Sequence, residues 1–412
     1  MRRVAGIIGL IALALVFAIT NVGMNIVQAQ GSPVTVTAAY DALRLRSGPG
    51  AQYDTIAALP YGTTLPALAR SADSAWVAVQ YGDKRGWVSV SLVTIKGDFT
   101  SLPIKDAASL QSNSPGAPTP TPRPDGGIES LTMYVSTPHV NYYRLVYYSD
   151  GLRISGFYAE PRYPGKYPAL IYNRGGLEGS GALTGMELAP FAECGFVVVA
   201  SQYRGGPGSE GYDQLGGDDV HDVLNLITLL KARPLVDPDR IAMFGTSRGA
   251  MMTYLALKSQ SLAGTNDIKV AVTTSGLSDL IMWAAEQPAL TGPVYAQHIG
   301  ASVRGNPAPL IARSATYWPG LIRVPLLLLH GDADTTILVD QSRRLYRYLK
   351  ALGRPVNLIV YKGDGHGLPG DAEGLPEALK WYANYIGTAK DNFDFDYHHP
   401  DIVAAYAMLK GR

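Results

Sequence analysis

The sequence predicts an α/β domain, built on a mostly parallel sheet entered through an antiparallel hairpin and preceded by a small all-β barrel. Three observations lead there. Residues 33–96 carry short alternating runs separated by turns, a Pro/Thr-rich stretch follows, and from residue 129 strand-like and helix-like runs take turns. The strands of that last part are apolar without alternation, which marks a sheet buried on both faces.

The N-terminus differs from everything after it. "MRRVAGIIGLIALALVFAITNVGMNIVQAQG" opens with Arg2 and Arg3, continues through an uninterrupted apolar stretch and reaches Val27-Gln28-Ala29 before Gln30. Charged region, apolar region and small residue at the cleavage position read as a secretory signal peptide over residues 1–29. The apolar stretch approaches the length of a membrane span, so an uncleaved anchor is the alternative. Ala29 favours cleavage, with no membrane segment afterwards. Either way the chain is expected to be exported, as a secreted or cell-surface protein.

Composition narrows the function. Over 412 residues, 35 Lys+Arg oppose 34 Asp+Glu, with no basic stripe interleaved with aromatics, which excludes a nucleic-acid partner. A single cysteine, Cys194, allows no intramolecular disulfide. It stands between a helix-like run and the strand "FVVVA", where a thiol serves as a small buried hydrophobe.

In residues 33–96, "WVAVQYGDKRGWV" has two alternating runs flanking Gly82-Asp83, a hairpin signal. Trp76 and Trp87 read as core aromatics of the barrel. The stretch "LRLRSGPGAQYDTIAALPYGTTL" followed by "AWVAVQYGDKRGWVS" resembles a bacterial Src-homology-3-type domain, through Arg46 to Gly50, Tyr53, Gly62, Trp76 and Gly86-Trp87-Val88. The resemblance implies binding of cell-wall peptides or other surface ligands. Residues 97–128 read as a linker, because "SNSPGAPTPTPRPDGG" has no large apolar residue and favours an extended polyproline spacer. A barrel on such a tether is expected to localise the molecule without gating it.

The large domain spans residues 129–388, with a tail at 389–412. It starts with two alternating strands joined at Asp150-Gly151. Then come "ALIY", a helix near residues 186–193, "FVVVAS", a helix over 218–232, "RIAMFG", a helix from Gly249 and "IKVAVTTS". "PLLLLHG", a helix over 341–352, "VNLIVY" and a last helix over 376–386 complete the series.

Active groups gather at the carboxyl ends of such strands. Ser247 follows the strand "RIAMF" in Gly245-Thr246-Ser247-Arg248-Gly249 and opens a helix, which is the strand–turn–helix setting of a nucleophile elbow. A serine hydroxyl is a weak nucleophile, so it needs a base, and the base needs an orienting acid. Asp332 and Asp334 follow "PLLLLHG", and His366 follows "VNLIVYKGDG". The order Ser, Asp, His is that of the α/β-hydrolase fold. The residues alone do not choose between the two aspartates.

"FGTSRG", "LLLHGDADTTI" and "GDGHG", with "SQYRGGPGSEGY" and "GGDDVHDV" upstream, resemble the catalytic domain of the prolyl oligopeptidase family of serine peptidases, over about residues 129 to 388. The family's His-Gly-x-x-Asp pattern implies Asp334 as the acid, with Asp332 and Asp364 as loop carboxylates. Acyl-transfer chemistry then assigns attack to Ser247, proton transfer to His366 and orientation of the imidazole to Asp334. One oxyanion donor is expected to be the backbone N–H of Arg248, the other to come from "NRGGLEG". Many family members place a tyrosine there; this chain has Arg174 before Gly175-Gly176, so a backbone N–H at Arg174 or Gly175 is the expected substitute.

Asp218, Asp219 and Asp222 start a helix and suit its positive end, with His221 on its surface. "DFDYHHPD" at residues 394–401 reads as tail, not as a metal site. No metal or cofactor is expected. The long segment from Leu280 to Trp318 suggests a pocket wall carrying Trp283, Tyr295 and Trp318, or a cover over the sheet edge. Family members carry a large β-propeller, for which residues 33–127 leave no room. The expectation is an exported serine hydrolase cleaving peptide or aminoacyl amides, with a carboxylesterase on small or cell-surface esters as the alternative. A surface-binding protein with a non-catalytic scaffold is the reading from another class.

Overall fold

The computed structural model describes residues 33–39, 43–50, 53, 55–111, 123–177, 179–299, 301–367 and 374–387. The signal segment, the Pro/Thr-rich run at 112–122 and the tail with its 394–401 histidines lie outside the described residues.

The N-terminal unit is an antiparallel seven-stranded sheet formed by β1 (Thr35–Ala38), β2 (Leu43–Arg46), β3 (Thr55–Leu59), β4 (Thr64–Arg70), β5 (Trp76–Tyr81), β6 (Lys84–Ser89) and β7 (Val93–Lys96), in the order β3-β2-β6-β5-β4-β1-β7. The β5–β6 hairpin turns at Gly82-Asp83. Alternation along these strands places Val36, Leu43, Leu45, Val77, Val79 and Val88 in one core. Trp87 is fully buried, whereas Trp76 is only half-buried. The expected linker begins later than residue 97. The Arg70 N–H donates to Pro103 O at 2.9 Å, and the short helix α1 (Ala107–Gln111) brings Leu110 against Ala69, Ala78 and Trp87. Leu110, ahead of the Pro/Thr run, is thus part of the barrel's packing.

The large unit is a nine-stranded sheet. Its strands are β8 (Ile128–Ser136), β9 (Val140–Ser149), β10 (Leu152–Pro161), β11 (Tyr167–Asn173), β12 (Val197–Ser201), β13 (Val236–Thr246), β14 (Ile268–Thr274), β15 (Leu326–Gly331) and β16 (Val356–Tyr361). Their order is β16-β15-β14-β13-β11-β12-β10-β9-β8. From β16 to β12 all neighbours are parallel; β10, β9 and β8 add antiparallel pairs, with the β9–β10 hairpin at Asp150-Gly151. Every residue of β12 and of β15 is buried, as their unbroken apolar sequences require.

Helices cover both faces: α2 (Ala189–Ala192), α3 (Asp219–Lys231), α4 (Arg248–Ala263), α5 (Leu280–Glu286), α6 (Pro288–His298), α7 (Ala308–Arg313), α8 (Asp340–Ala351) and α9 (Gly374–Ile386). One face packs α3, α4 and α8 over residues such as Val223, Leu226, Met251, Leu255 and Leu345; the other packs α2 and α9 over Phe191, Phe244, Leu379 and Tyr382. Cys194 is buried in this second layer, and burial pushes its thiol up to about 12, so it stays protonated and unreactive.

The two units touch. Arg44 Nη1 of the barrel donates to Glu210 Oε1 at 2.7 Å, on the loop after β12. Arg123 also reaches Glu210, at 3.7 Å, and its guanidinium lies 5.2 Å from the centre of the Tyr148 ring. The barrel is therefore seated on the large unit, where Arg44 and Glu210 supply opposite charges at the contact.

Candidate active site

β13 ends at Thr246 and α4 starts at Arg248, so Ser247 is the single residue of the turn. Its backbone sits at φ 56, ψ −119, a conformation that costs a non-glycine residue energy and persists only where the surroundings impose it. Those surroundings are identifiable. The Ser247 N–H donates to Thr274 O at 2.9 Å, and its carbonyl accepts from the Ala250 N–H at 3.1 Å. Gly249 is required because a Cβ there would collide with the carbonyl oxygens of Asn173 and Arg174, letting α4 descend onto the end of β11. Asn173 adds a hydrogen bond to Thr253 of α4 at 2.9 Å.

Asp334 and His366 arrive from the loops after β15 and β16. His366 Nδ1 and Asp334 Oδ2 are 2.8 Å apart, and Asp334 Oδ1 accepts the N–H groups of Thr336 and Ile337, each at 2.9 Å. A ring nitrogen facing a carboxylate carries the proton, which leaves Nε2 of a neutral His366 with a free lone pair. Burial by itself would raise the Asp334 carboxyl; hydrogen bonds from His330, His366 and Ile337 outweigh it and hold the group well below the usual carboxylate range. Asp332, in contrast, accepts the Gly363 N–H at 2.6 Å and ties the two loops together.

His330 opens the His-Gly-x-x-Asp pattern, which gives it no role of its own. It is fully buried, with Nε2 at 2.9 Å from Ile337 O and 3.3 Å from Asp334 Oδ2, and Nδ1 at 2.8 Å from the Ser342 hydroxyl. Two acceptors at Nε2 place a proton there, and the Ser342 hydroxyl faces Nδ1. Thr274 and Ser275, at the end of β14, hold the histidine loop: their hydroxyls donate to Gly367 O at 2.6 Å and 3.0 Å. The Thr274 and Ser275 contacts have no local sequence signal, since Gly367 lies 93 and 92 residues away.

Ser247 and His366 line one cleft of about 630 Å³, together with Arg174, Gly175, Leu177, Leu183, Leu215, Leu277, Trp283 and Ile337. Gly175 stands directly against the serine: a Cβ there would lie 3.2 Å from both Ser247 Cβ and Thr246 O. Arg248 heads α4, so its N–H is one of the helix's unpaired N-terminal donors. Of the three aromatic residues expected in the pocket, only Trp283 lines it, with Nε1 donating to Thr336 O at 3.1 Å. Tyr295 is packed 6.1 Å behind Trp283, where its hydroxyl donates to Leu280 O. Trp318 lies elsewhere, under the Lys258 ammonium at 4.6 Å. Both tyrosine and indole are drawn into the packing of α5 and α4, away from the cleft.

Asp218, Asp219 and Asp222 open α3, as expected, and Asp219 and Asp222 are moreover buried. Asp222 pairs with Arg204 at 2.8 Å and Asp219 with Arg248 at 2.5 Å, while Asp213 joins Arg248 at 2.6 Å. Burial would lower the Arg248 guanidinium, but Asp213 and Asp219 more than offset it, so its charge is secure. His221 is on the helix surface as expected, 2.8 Å from Asp150.

Residues 183–389 match the prolyl oligopeptidase family, and residues 41–94 match the bacterial SH3 domain. The chain belongs to the prolyl oligopeptidase family. As a member it is a serine hydrolase of peptidase type. It is 34% identical over 243 residues to YtmA, an uncharacterized peptidase of Bacillus subtilis (strain 168), across 59% of this chain and 92% of that protein. A putative N-acetylmuramoyl-L-alanine amidase of the same organism, YrvJ, is 34% identical over 109 residues, 26% of this chain and 19% of the amidase. The structure of a Mycobacterium tuberculosis puromycin-hydrolyzing peptidase has the same fold, with TM-score 0.53 and 18% identity over 79% of this chain and 54% of that one.

Proposed function

We propose that this family member cleaves amide bonds of peptides or acylated amino acids through an acyl-enzyme on Ser247. The observation that carries the reading is the meeting, in one largely apolar cleft, of a serine on a strained turn with a histidine already hydrogen-bonded to a buried carboxylate. His366 Nε2 accepts the Ser247 proton as Oγ attacks the carbonyl carbon, then delivers it to the leaving amine. Asp334 keeps the proton on Nδ1 and stabilises the imidazolium. The tetrahedral oxyanion is held by the N–H of Arg248 and the N–H of Gly175, with that of Arg174 as the neighbouring alternative. Water repeats the cycle to release the acid. Leu183, Leu215, Leu277 and Ile337 favour an apolar acyl side chain.

Esters present the same machinery with a better leaving group, and turnover of peptidyl amides compared with short-chain esters ranks the two substrate classes. A fluorophosphonate probe tests the mechanism: it should label the protein and fail to label Ser247→Ala. Persistent labelling of that variant overturns the assignment. We further propose that the protein is exported and that its SH3-type barrel retains it on cell-wall or other surface material.

A further inference from the structure

Resting on the reading of Ser247 as nucleophile, we infer that Arg248 and Tyr203 are positioning residues that aim the two backbone oxyanion donors at one point. The family's side-chain donor is missing where Arg174 stands, so the second donor has to be a backbone N–H, and a glycine-rich loop does not orient its own peptides. Something must hold it.

Three consecutive carbonyls of that loop are each taken by a donor. Arg174 O accepts from the Tyr203 hydroxyl at 3.2 Å, Gly175 O from Arg174 Nη1 at 2.9 Å, and Gly176 O from Arg248 Nη1 at 3.0 Å. The peptide unit is planar and trans, so turning the Arg174 carbonyl towards Tyr203 directs the Gly175 N–H the opposite way. Gly175 is the residue packed against Ser247. Arg248 then joins the two donors: its own N–H is the first, and its guanidinium grips the loop that bears the second.

The grip is held by buried groups, with both terminal nitrogens of the Arg248 guanidinium hydrogen-bonded. Arg248 Nη1 and Nη2 meet Asp213 at 2.6 Å and 2.8 Å, and Nη2 meets Asp219 at 2.5 Å. Tyr203, itself in the left-handed region at φ 60, has its ring 5.0 Å from the guanidinium carbons of both Arg174 and Arg248. Arg174 completes the stack through two bonds to Gln202 O, at 3.1 Å and 2.7 Å. Both arginines are spent inside the protein, so neither acts as a substrate anchor.

Two variants test this. Tyr203→Phe keeps the ring and removes only the hydroxyl; Arg248→Lys keeps the charge for Asp213 and Asp219 and loses the fork that also reaches Gly176. On an acylaminoacyl substrate each should lower kcat by about 10- to 100-fold with KM nearly unchanged, below the loss expected for deleting a donor outright. Affinity for a peptidyl trifluoromethyl ketone, whose adduct with serine carries the oxyanion, should fall in parallel. Structural damage alone would lower the melting temperature without separating kcat from KM. Parent-like kcat in folded Tyr203→Phe overturns the inference, as does a loss confined to KM; this variant decides even where Arg248→Lys fails to fold. An active Ser247→Ala would instead overturn the reading beneath it.

Discussion

The Thr274 hydroxyl donates to the Gly367 carbonyl at 2.6 Å, one residue beyond His366. The carbonyl of the same Thr274 accepts the Ser247 N–H at 2.9 Å. One strand-end residue thus sets Ser247 and His366 relative to each other. Thr274→Val keeps the shape and the backbone bond but loses the hydroxyl. Expected are a stability loss of about 1 kcal/mol, as for one hydrogen bond, and a kcat about tenfold lower, since small misplacements of reacting groups are costly. Melting and steady-state kinetics together check this; an unchanged kcat contradicts it.

Asp334→Asn should lower kcat by about 10⁴-fold, the scale seen when a triad acid loses its charge. Asp332→Asn should do far less, because Asp332 accepts the Gly363 N–H whereas Asp334 faces the His366 imidazole. Side-by-side turnover of the two variants decides, and the reverse ranking would reassign the acid.

Acid stability follows from the same carboxylate. The Asp334 carboxyl is depressed in the folded protein, so the unfolded chain binds the proton more readily. Its contribution is whole above the unfolded value of about 3.9 and drains away as pH falls from there towards the folded one. Below about pH 4 the melting temperature of the parent should therefore fall more steeply than that of Asp334→Asn. Parallel curves would mean the shift contributes nothing to stability.

Removing the barrel should cost stability more than chemistry. The deletion must end before Arg123, because Gly126 and Gly127 exchange backbone hydrogen bonds with Tyr148 and Arg123 covers its ring. A protein lacking residues 31–111 loses the Arg44–Glu210 pair, and a partly exposed pair contributes about 0–1 kcal/mol. Turnover of a small chromogenic ester should stay within about threefold of the parent, roughly 0.7 kcal/mol in barrier. Retention on cell-wall material should be lost. A larger fall in turnover would show that the barrel supports the Glu210 loop and, through Asp213, Arg248.

Export makes its own prediction. N-terminal sequencing of protein recovered from the culture medium or cell surface should begin at Gln30; a chain starting at Met1 and pelleting with membranes favours the anchor.

The order of elements, the parallel sheet, the hairpins at Gly82-Asp83 and Asp150-Gly151 and the placing of Ser247 and His366 just after strands were legible in the sequence. Each depends on chain neighbours: an unbroken apolar run, a turn dipeptide, or glycines flanking a serine between strand and helix. Family resemblance, not spacing, separated Asp334 from Asp332. What only the tertiary structure decided involves partners far apart along the chain. Asp219 is the helix-end charge the sequence indicates, but only packing pairs it with Arg248, and Tyr295, expected in the pocket, instead donates its hydroxyl to Leu280 O. Tyr203 and His330 stand in family-like stretches and Thr274 in a plain strand, yet none of these names a partner, because a hydroxyl or ring acquires its task only when folding places a particular carbonyl or carboxylate within about 3 Å of it. Local sequence sets backbone conformation and burial; which buried polar group answers which other is settled by packing across the sheet.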